Sequence, residues 1–248
     1  MNRYHIRTFC TVTLASLAVS VTTAQTALTG ATFSNGGDHL NNGDTDEPLS
    51  FTSLTAGGET YTDFFFGTMT VLGGDPVRVY PVNGTIPAKT AGITNNIIND
   101  GLLNTREGTK IIFDVAFTES NRLFITDLQT SGNVGGENLG LYLLDENGDR
   151  VGASGAFSIG SGGTNLLTYD VQREGASNIT NAQLYGSVLT LADFGYTGST
   201  AVRGIEFGNT GDNSFDAMSV GLTQIPEPGS LALAGIAVLA GLLYCRRR

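Results

Sequence analysis

Ile111-Ile112-Phe113-Asp114-Val115-Ala116-Phe117 decides the fold class of this chain. Ile111, Phe113, Val115 and Phe117 share one parity and Asp114 stands on the other, so the apolar pattern has the period of a half-buried strand. The turn Thr118-Glu119-Ser120-Asn121 then leads into a second run, Arg122–Leu128, and the two are expected to pair as a hairpin. Further along, Leu139–Leu144 and Arg150–Phe157 flank Asp145-Glu146-Asn147-Gly148-Asp149. Asn-Gly between apolar runs is the strongest short hairpin signal, because a tight two-residue turn needs positive φ. Outward from this centre, strands are expected at Thr60–Phe66, Pro76–Tyr80, Leu166–Val171, Gln183–Leu191, Ala201–Phe207 and Phe215–Leu222, where Met218, Val220 and Leu222 share a face. Ile93–Leu103 is ambiguous and leaves room for one short helix. Short strands at this spacing, divided by Asn/Gly/Asp/Ser clusters, predict an all-β domain: an antiparallel β-sandwich, jelly-roll-like. No internal repeat is visible.

The two ends of the chain read differently from its body. Met1–Ala24 has a basic start (Arg3, His5, Arg7), a moderately apolar stretch from Phe9 to Val21 and small residues before Gln25. These are the three regions of a secretory signal peptide, with cleavage expected between Ala24 and Gln25. At the other end Pro226-Glu227-Pro228-Gly229 precedes an uncharged run, Ser230–Cys245, and then Arg246-Arg247-Arg248. As a helix the run would rise about 24 Å, slightly short of a bilayer core of about 30 Å. Snorkelling arginines or local thinning make up the difference, and the basic cluster holds that end in the cytoplasm. The two prolines fix two φ angles and remove two N–H donors, which leaves an extended segment for a protease to grip.

Pro-Glu-Pro, a short apolar helix and a terminal basic cluster, in that order, resemble the PEP-CTERM sorting signal of Gram-negative bacteria. The resemblance covers residues 226–248 only. It implies processing by exosortase, a membrane-embedded enzyme with a cysteine nucleophile, and passage from an inner-membrane-anchored intermediate to the cell surface or extracellular matrix. It also implies an exopolysaccharide or biofilm setting. The expected organisation is therefore a signal peptide over 1–24, a β-sandwich ectodomain over 25–225, and a sorting signal over 226–248 whose transmembrane helix covers 230–245.

Composition narrows what the ectodomain does. Both cysteines, Cys10 and Cys245, fall in the terminal segments, so the body has no disulfide, thiolate metal site or cysteine nucleophile. It needs a hydrophobic core, and about 200 residues suffice for one. The body carries 22 acidic against 8 basic residues, a net charge of −14. Nucleic acid is excluded as a partner, since phosphate binding needs clustered Lys and Arg. Acidity suits solubility or divalent cations.

Few residues are equipped for catalysis. His39 is the one histidine outside the leader, set in a polar loop, and a Ser-His-Asp triad would depend on it. Asp114, Asp127, Glu206 and Asp216 fall on expected strands, where an alternating polar residue marks a wet face; no motif pairs them for glycoside cleavage. Asp145, Asn147 and Asp149 have the i, i+2, i+4 oxygen spacing of a calcium loop, but Arg150 and Ala156 stand where the helix-loop-helix motif wants Gly and Glu. A hairpin turn explains the same residues. Asp212 and Asp216 belong to a second oxygen-rich cluster, and Asp38, Asp44, Asp46 and Glu47 form a third. In jelly-roll sugar-binding modules calcium sits where first and last strands meet, so these two could converge, an analogy of fold alone. With no tryptophan, sugar stacking would fall to Tyr61, Tyr80, Tyr142, Tyr169, Tyr185 and Tyr196. The glycine-rich stretches 132–136 and 160–163 lack the Gly-Lys-Ser/Thr ending of a phosphate loop.

No catalytic residue or cofactor is assigned, with calcium left open. The sequence points to a non-enzymatic exported surface or matrix protein whose partners are exosortase, the inner membrane and possible extracellular polysaccharide. A carbohydrate-binding module is the alternative, and an exported glycoside hydrolase a third reading.

Overall fold

The structure, a computed structural model, describes residues 25–34, 50–70, 77–81, 92–93, 102–103, 107–129, 137–173, 175, 179–208 and 217–225. Sixteen strands are found among them: β1 (Thr26–Phe33), β2 (Phe51–Ala56), β3 (Glu59–Tyr61), β4 (Phe64–Phe65), β5 (Gly67–Thr70), β6 (Val77–Pro81), β7 (Gly92–Ile93), β8 (Leu102–Leu103), β9 (Lys110–Phe117), β10 (Asn121–Gln129), β11 (Glu137–Leu144), β12 (Arg150–Ile159), β13 (Leu167–Arg173), β14 (Ile179–Leu189), β15 (Val202–Gly208) and β16 (Ala217–Gln224). All pairings are antiparallel, in a ten-stranded and a six-stranded sheet.

The larger sheet runs β3-β2-β1-β14-β10-β16-β4 and forks at β14, whose one edge is shared between β1 (at Ser187 and Val188) and β13 (from Leu184 back to Ile179). After Ala27, β1 leaves β14 and pairs with β2 across a register shift at Leu28/Gly30. A bulge of this kind sharpens the twist. The sheet nearly closes into a barrel around a core of Leu28, Phe51, Leu54, Tyr61, Phe124, Tyr169 and Leu184. The smaller sheet, β12-β11-β15-β9-β5-β7, is a half-barrel laid on the outer face of the larger. Between them lies a second core, in which Leu123, Ile125, Val220 and Leu222 of the larger sheet meet Phe113, Phe117, Leu141, Phe157 and Phe207 of the smaller.

β10 lies between both cores. Leu123 and Ile125 point one way, Phe124 and Leu128 the other, and every residue from Leu123 to Gln129 is buried. The structure here corrects the expected pairing of 111–117 with 122–128. β9 pairs with β5 and β15, and β10 with β14 and β16, so the two lie in different sheets. The turn between them is closed, with Asn121 N–H on Thr118 O at 3.2 Å and Thr118 N–H on Asn121 Oδ1 at 2.8 Å, but it arches across the core. In one hairpin closed at Thr118 and Asn121, Ile125 would stand opposite Asp114, so Leu123 and Ile125 would share its face and meet water. Crossing buries both sets, at roughly 1.5–3 kcal/mol per large apolar side chain.

The hairpin of β11 and β12 around Asp145–Asp149 is present as expected. Thr60–Phe66 is divided among β3, β4 and the approach to β5 because it passes from one sheet to the other. Ile93–Leu103 carries strand at both ends, β7 and β8; its interior lies outside the described residues. β1 and β2 were not expected: Thr, Ser and Gly dilute the alternation of both.

Candidate functional site

The end of the body from which the sorting signal continues is built from several elements. β14 pairs with β1 and β10 so that Thr26, Val188, Phe124 and Gly221 lie on one level, and Gln224 pairs with Asn121 just below. Gln25 and Ile225, the first and last described residues, therefore emerge at the same end of the large sheet. Gln25 is tied in: its Nε2 donates to Ser158 O and to Ser187 Oγ (3.0 Å), and its Oε1 accepts from Ser158 N–H at 3.2 Å. At the other side the Gln224 N–H donates to Asp63 O (3.3 Å) and the Ile225 N–H to Ser120 O (3.0 Å). The β9–β10 arch and a 3-10 helix, Leu191–Phe194, close this end. The helix is fixed by a capping box, in which Asp193 N–H donates to Thr190 Oγ1 (3.2 Å) and Thr190 N–H to Asp193 Oδ2 (2.6 Å). Phe194 then packs on Phe117 and Phe157.

Two clefts open here. One, of about 430 Å³, lies between the arch and the helix, with Thr118, Glu119, Leu191, Tyr196, Thr197 and Thr200 among its lining residues. The other, of about 360 Å³ at the barrel mouth, has Glu59, Tyr61, Arg122 and Thr190 in its wall. Tyr61 donates to Glu59 Oε2 at 2.8 Å; burial first, then Glu59, pushes its hydroxyl up to about 12, so it is a neutral donor at any physiological pH.

The Asp145 loop is a turn whose geometry uses its own carboxylate. Asp145 Oδ1 accepts from Asn147 N–H (2.8 Å) and Asp149 N–H (3.0 Å), while Gly148, at φ +79°, closes the loop onto Asp145 O. The bond from the Asp149 N–H is the main cause that holds the Asp145 carboxyl below the usual range. Among the described residues no three His, Cys, Asp or Glu side chains gather as a metal site. Asp212, Asp216, His39 and the acidic cluster at 38–47 lie outside them, and β1 and β16 are separated by β14 and β10 and do not meet.

Of the strand carboxylates, Asp114 is exposed and Asp127 is buried, its Oδ2 accepting from Gln129 Nε2 at 3.1 Å. Glu206 belongs to a stripe across four adjacent strands of the half-barrel. Arg150 grips it with two bonds, Nε to Oε2 at 3.0 Å and Nη2 to Oε1 at 2.7 Å, and stacks on the Tyr142 ring at 3.6 Å. Lys110 reaches Gly148 O at 2.6 Å and lies 4.0 Å from Glu206. Nothing in the sequence spacing reveals this cluster, since its members are brought side by side by pairing alone. The Arg150 bonds hold the Glu206 carboxyl below its ordinary value. Its stabilising contribution is thus complete above the unfolded glutamate value of about 4.3 and is lost as pH falls through the lower folded value. Glu206→Gln is expected to lower stability at pH 7 and to flatten the acid limb of a urea-unfolding profile taken between pH 7 and 3. An unchanged limb would show that the pair contributes nothing.

Among the described residues the tyrosines are mostly spent on packing; the Tyr80 side chain lies outside them. Tyr61, Tyr169 and Tyr185 are buried, Tyr142 lies under Arg150, and Tyr196 is half-buried with its hydroxyl on Thr200 O at 2.6 Å.

Pro226, Glu227, Pro228, Arg246, Arg247, Arg248 and Ala24 lie outside the described residues, and the signal follows directly after the hydrogen-bonded Ile225. A family model described as the PEP-CTERM protein-sorting motif matches residues 224–248. Residues 224–248 are a PEP-CTERM sorting motif. No curated relative and no solved structure matches the chain. The PEP-CTERM motif implies an exported, cell-surface-associated protein processed by exosortase. Among the described residues no helix is long and apolar enough to cross a membrane; the apolar run at 230–245 lies beyond them.

Proposed function

We propose that this chain is a non-enzymatic protein of the cell surface or extracellular matrix, exported by the leader at 1–24, cut between Ala24 and Gln25, held by its tail and released to exopolysaccharide or biofilm by exosortase. The observation that carries the reading is the PEP-CTERM motif set immediately behind a β-body that is hydrogen-bonded up to Ile225. The engagement of Glu206 by Arg150 and of Asp145 by its own turn supports a structural role for these carboxylates.

Replacing Glu227 and Pro228 with Ala, or deleting Arg246–Arg248, is expected to leave the protein at full tail length or mislocalised. Intact mass of protein recovered from cell surface and medium reads this directly. Normal processing of both variants would defeat the proposal.

A second reading, a carbohydrate-binding module on a jelly-roll-like sandwich, is supported by one feature: half-buried Tyr196 lines the same cleft as Thr118, Thr197 and Thr200. Glycan binding that Tyr196→Ala reduces at least tenfold would establish it, and loss in chelator would add calcium. No binding across neutral and acidic glycans would remove it.

A further inference from the structure

The distance between the folded body and its sorting motif is set by the chain itself, and it is short. Ile225 is fixed to Ser120 and Gln224 to Asp63, both through backbone bonds. At no more than about 3.6 Å per residue, Pro228 stays within about 11 Å of Ile225 and Ser230 within about 18 Å. An enzyme that encloses Pro226–Pro228 in a cleft therefore reaches the end of the β-body at the same time.

We propose that this end, formed by Asp63, the Thr118–Asn121 arch and the neighbouring 3-10 helix, is the surface on which exosortase seats while it reads the motif. The inference rests on the sorting reading above and names the part of the body that takes part in it. Asp63, Thr118, Glu119 and Ser120 are all exposed. The face is rigid: the arch is closed by three bonds between Thr118 and Asn121, and the helix by its capping box. Its exposed acids and the −14 charge of the body oppose an anionic lipid surface, which makes a protein the fitting occupant. The geometry also makes the body part of the substrate. A folded end at this distance either complements the enzyme or obstructs it, and a processed substrate must complement it.

The test reverses charge on the face while sparing the bonds that hold Ile225. Asp63→Arg with Glu119→Arg alters two exposed side chains, whereas both ties run through backbone oxygens. In cells containing the enzyme, the full-length double variant is expected to be processed at least fivefold more slowly, with an unchanged melting temperature. Eight Gly/Ser residues inserted between Ile225 and Pro226 add roughly 15 Å of mean reach, and in that background the same pair of substitutions should change the rate less than twofold. Wild-type processing of the double variant without the spacer would overturn the proposal, as would equal sensitivity with the spacer. Charge-reversal-sensitive flotation with phosphatidylglycerol vesicles, in the absence of enzyme, would assign the face to lipid and overturn it as well. A Glu227→Ala, Pro228→Ala chain run alongside separates the readings: if it is cut normally, the sorting reading itself fails.

Discussion

Phe124→Ala is expected to cost about 3–5 kcal/mol of folding stability, the range for a buried aromatic truncated to a methyl. Phe124 is 0% exposed on the strand between the two cores. Its ring stands edge-on to Phe64 at 5.4 Å and 72° and to Phe66 at 6.0 Å and 87°, the orientation that aromatic quadrupoles favour. Its cross-strand partner is Gly221, where a Cβ would come within 2.9 Å of the ring, so the neighbour has given up its side chain to make room. The site cannot collapse easily, because it is walled by strands paired on both sides. Natural domains hold only about 5–15 kcal/mol in total. At about 2–4 °C per kcal/mol for a body of this size, the melting temperature should fall by about 6–20 °C. Thermal and urea unfolding measure it, and a loss under 1 kcal/mol would mean that the barrel core is not closed around this ring.

Gly204→Val should rank second, at about 1–3 kcal/mol or more. The half-barrel is tightest where β9 runs between β15 and β5. A Cβ at Gly204 would stand 2.3 Å from Ile111 O and 2.8 Å from Ile112 Cδ1, and on the opposite side a Cβ at Gly67 would stand 2.1 Å from Ile112 O. Backbone, not a flexible side-chain tip, is in the way, so a branched residue forces β9 and β15 apart at their register shift. Hydrogen exchange should show faster opening of Lys110–Phe113 in this variant with β11–β12 still protected. Protection unchanged at β9 would show that the strands absorb the side chain without separating.

These two sites mark where sequence reading reached and where it stopped. The parity of Ile111–Phe117 and the Asn-Gly turn at 147–148 were legible because each is local: alternation and φ preference act over a few residues. β1 and β2 were not, because Thr, Ser and Gly carry little apolar signal and these strands are held by pairing to β14 and to each other. Nor was the placement of β9 and β10 in different sheets. A closed four-residue turn is compatible with a hairpin or an arch, and what decides is the burial of both faces of β10, Leu123 and Ile125 on one and Phe124 and Leu128 on the other, a property of strands distant in sequence. The Arg150–Glu206 grip was hidden for the same reason, its partners being 56 residues apart.

By itself, then, the sequence determined the all-β class, the Asp145 turn and the sorting signal at the C-terminus, since strand parity, turn chemistry and a linear Pro-Glu-Pro, apolar, arginine signal are written in consecutive residues. Only the tertiary structure decided which faces meet, that Glu206 is held by Arg150, and that Ile225 is tied to Ser120 at the end where the motif leaves. Those are outcomes of long-range burial and register, in which each strand takes the neighbour that leaves the least apolar surface in water.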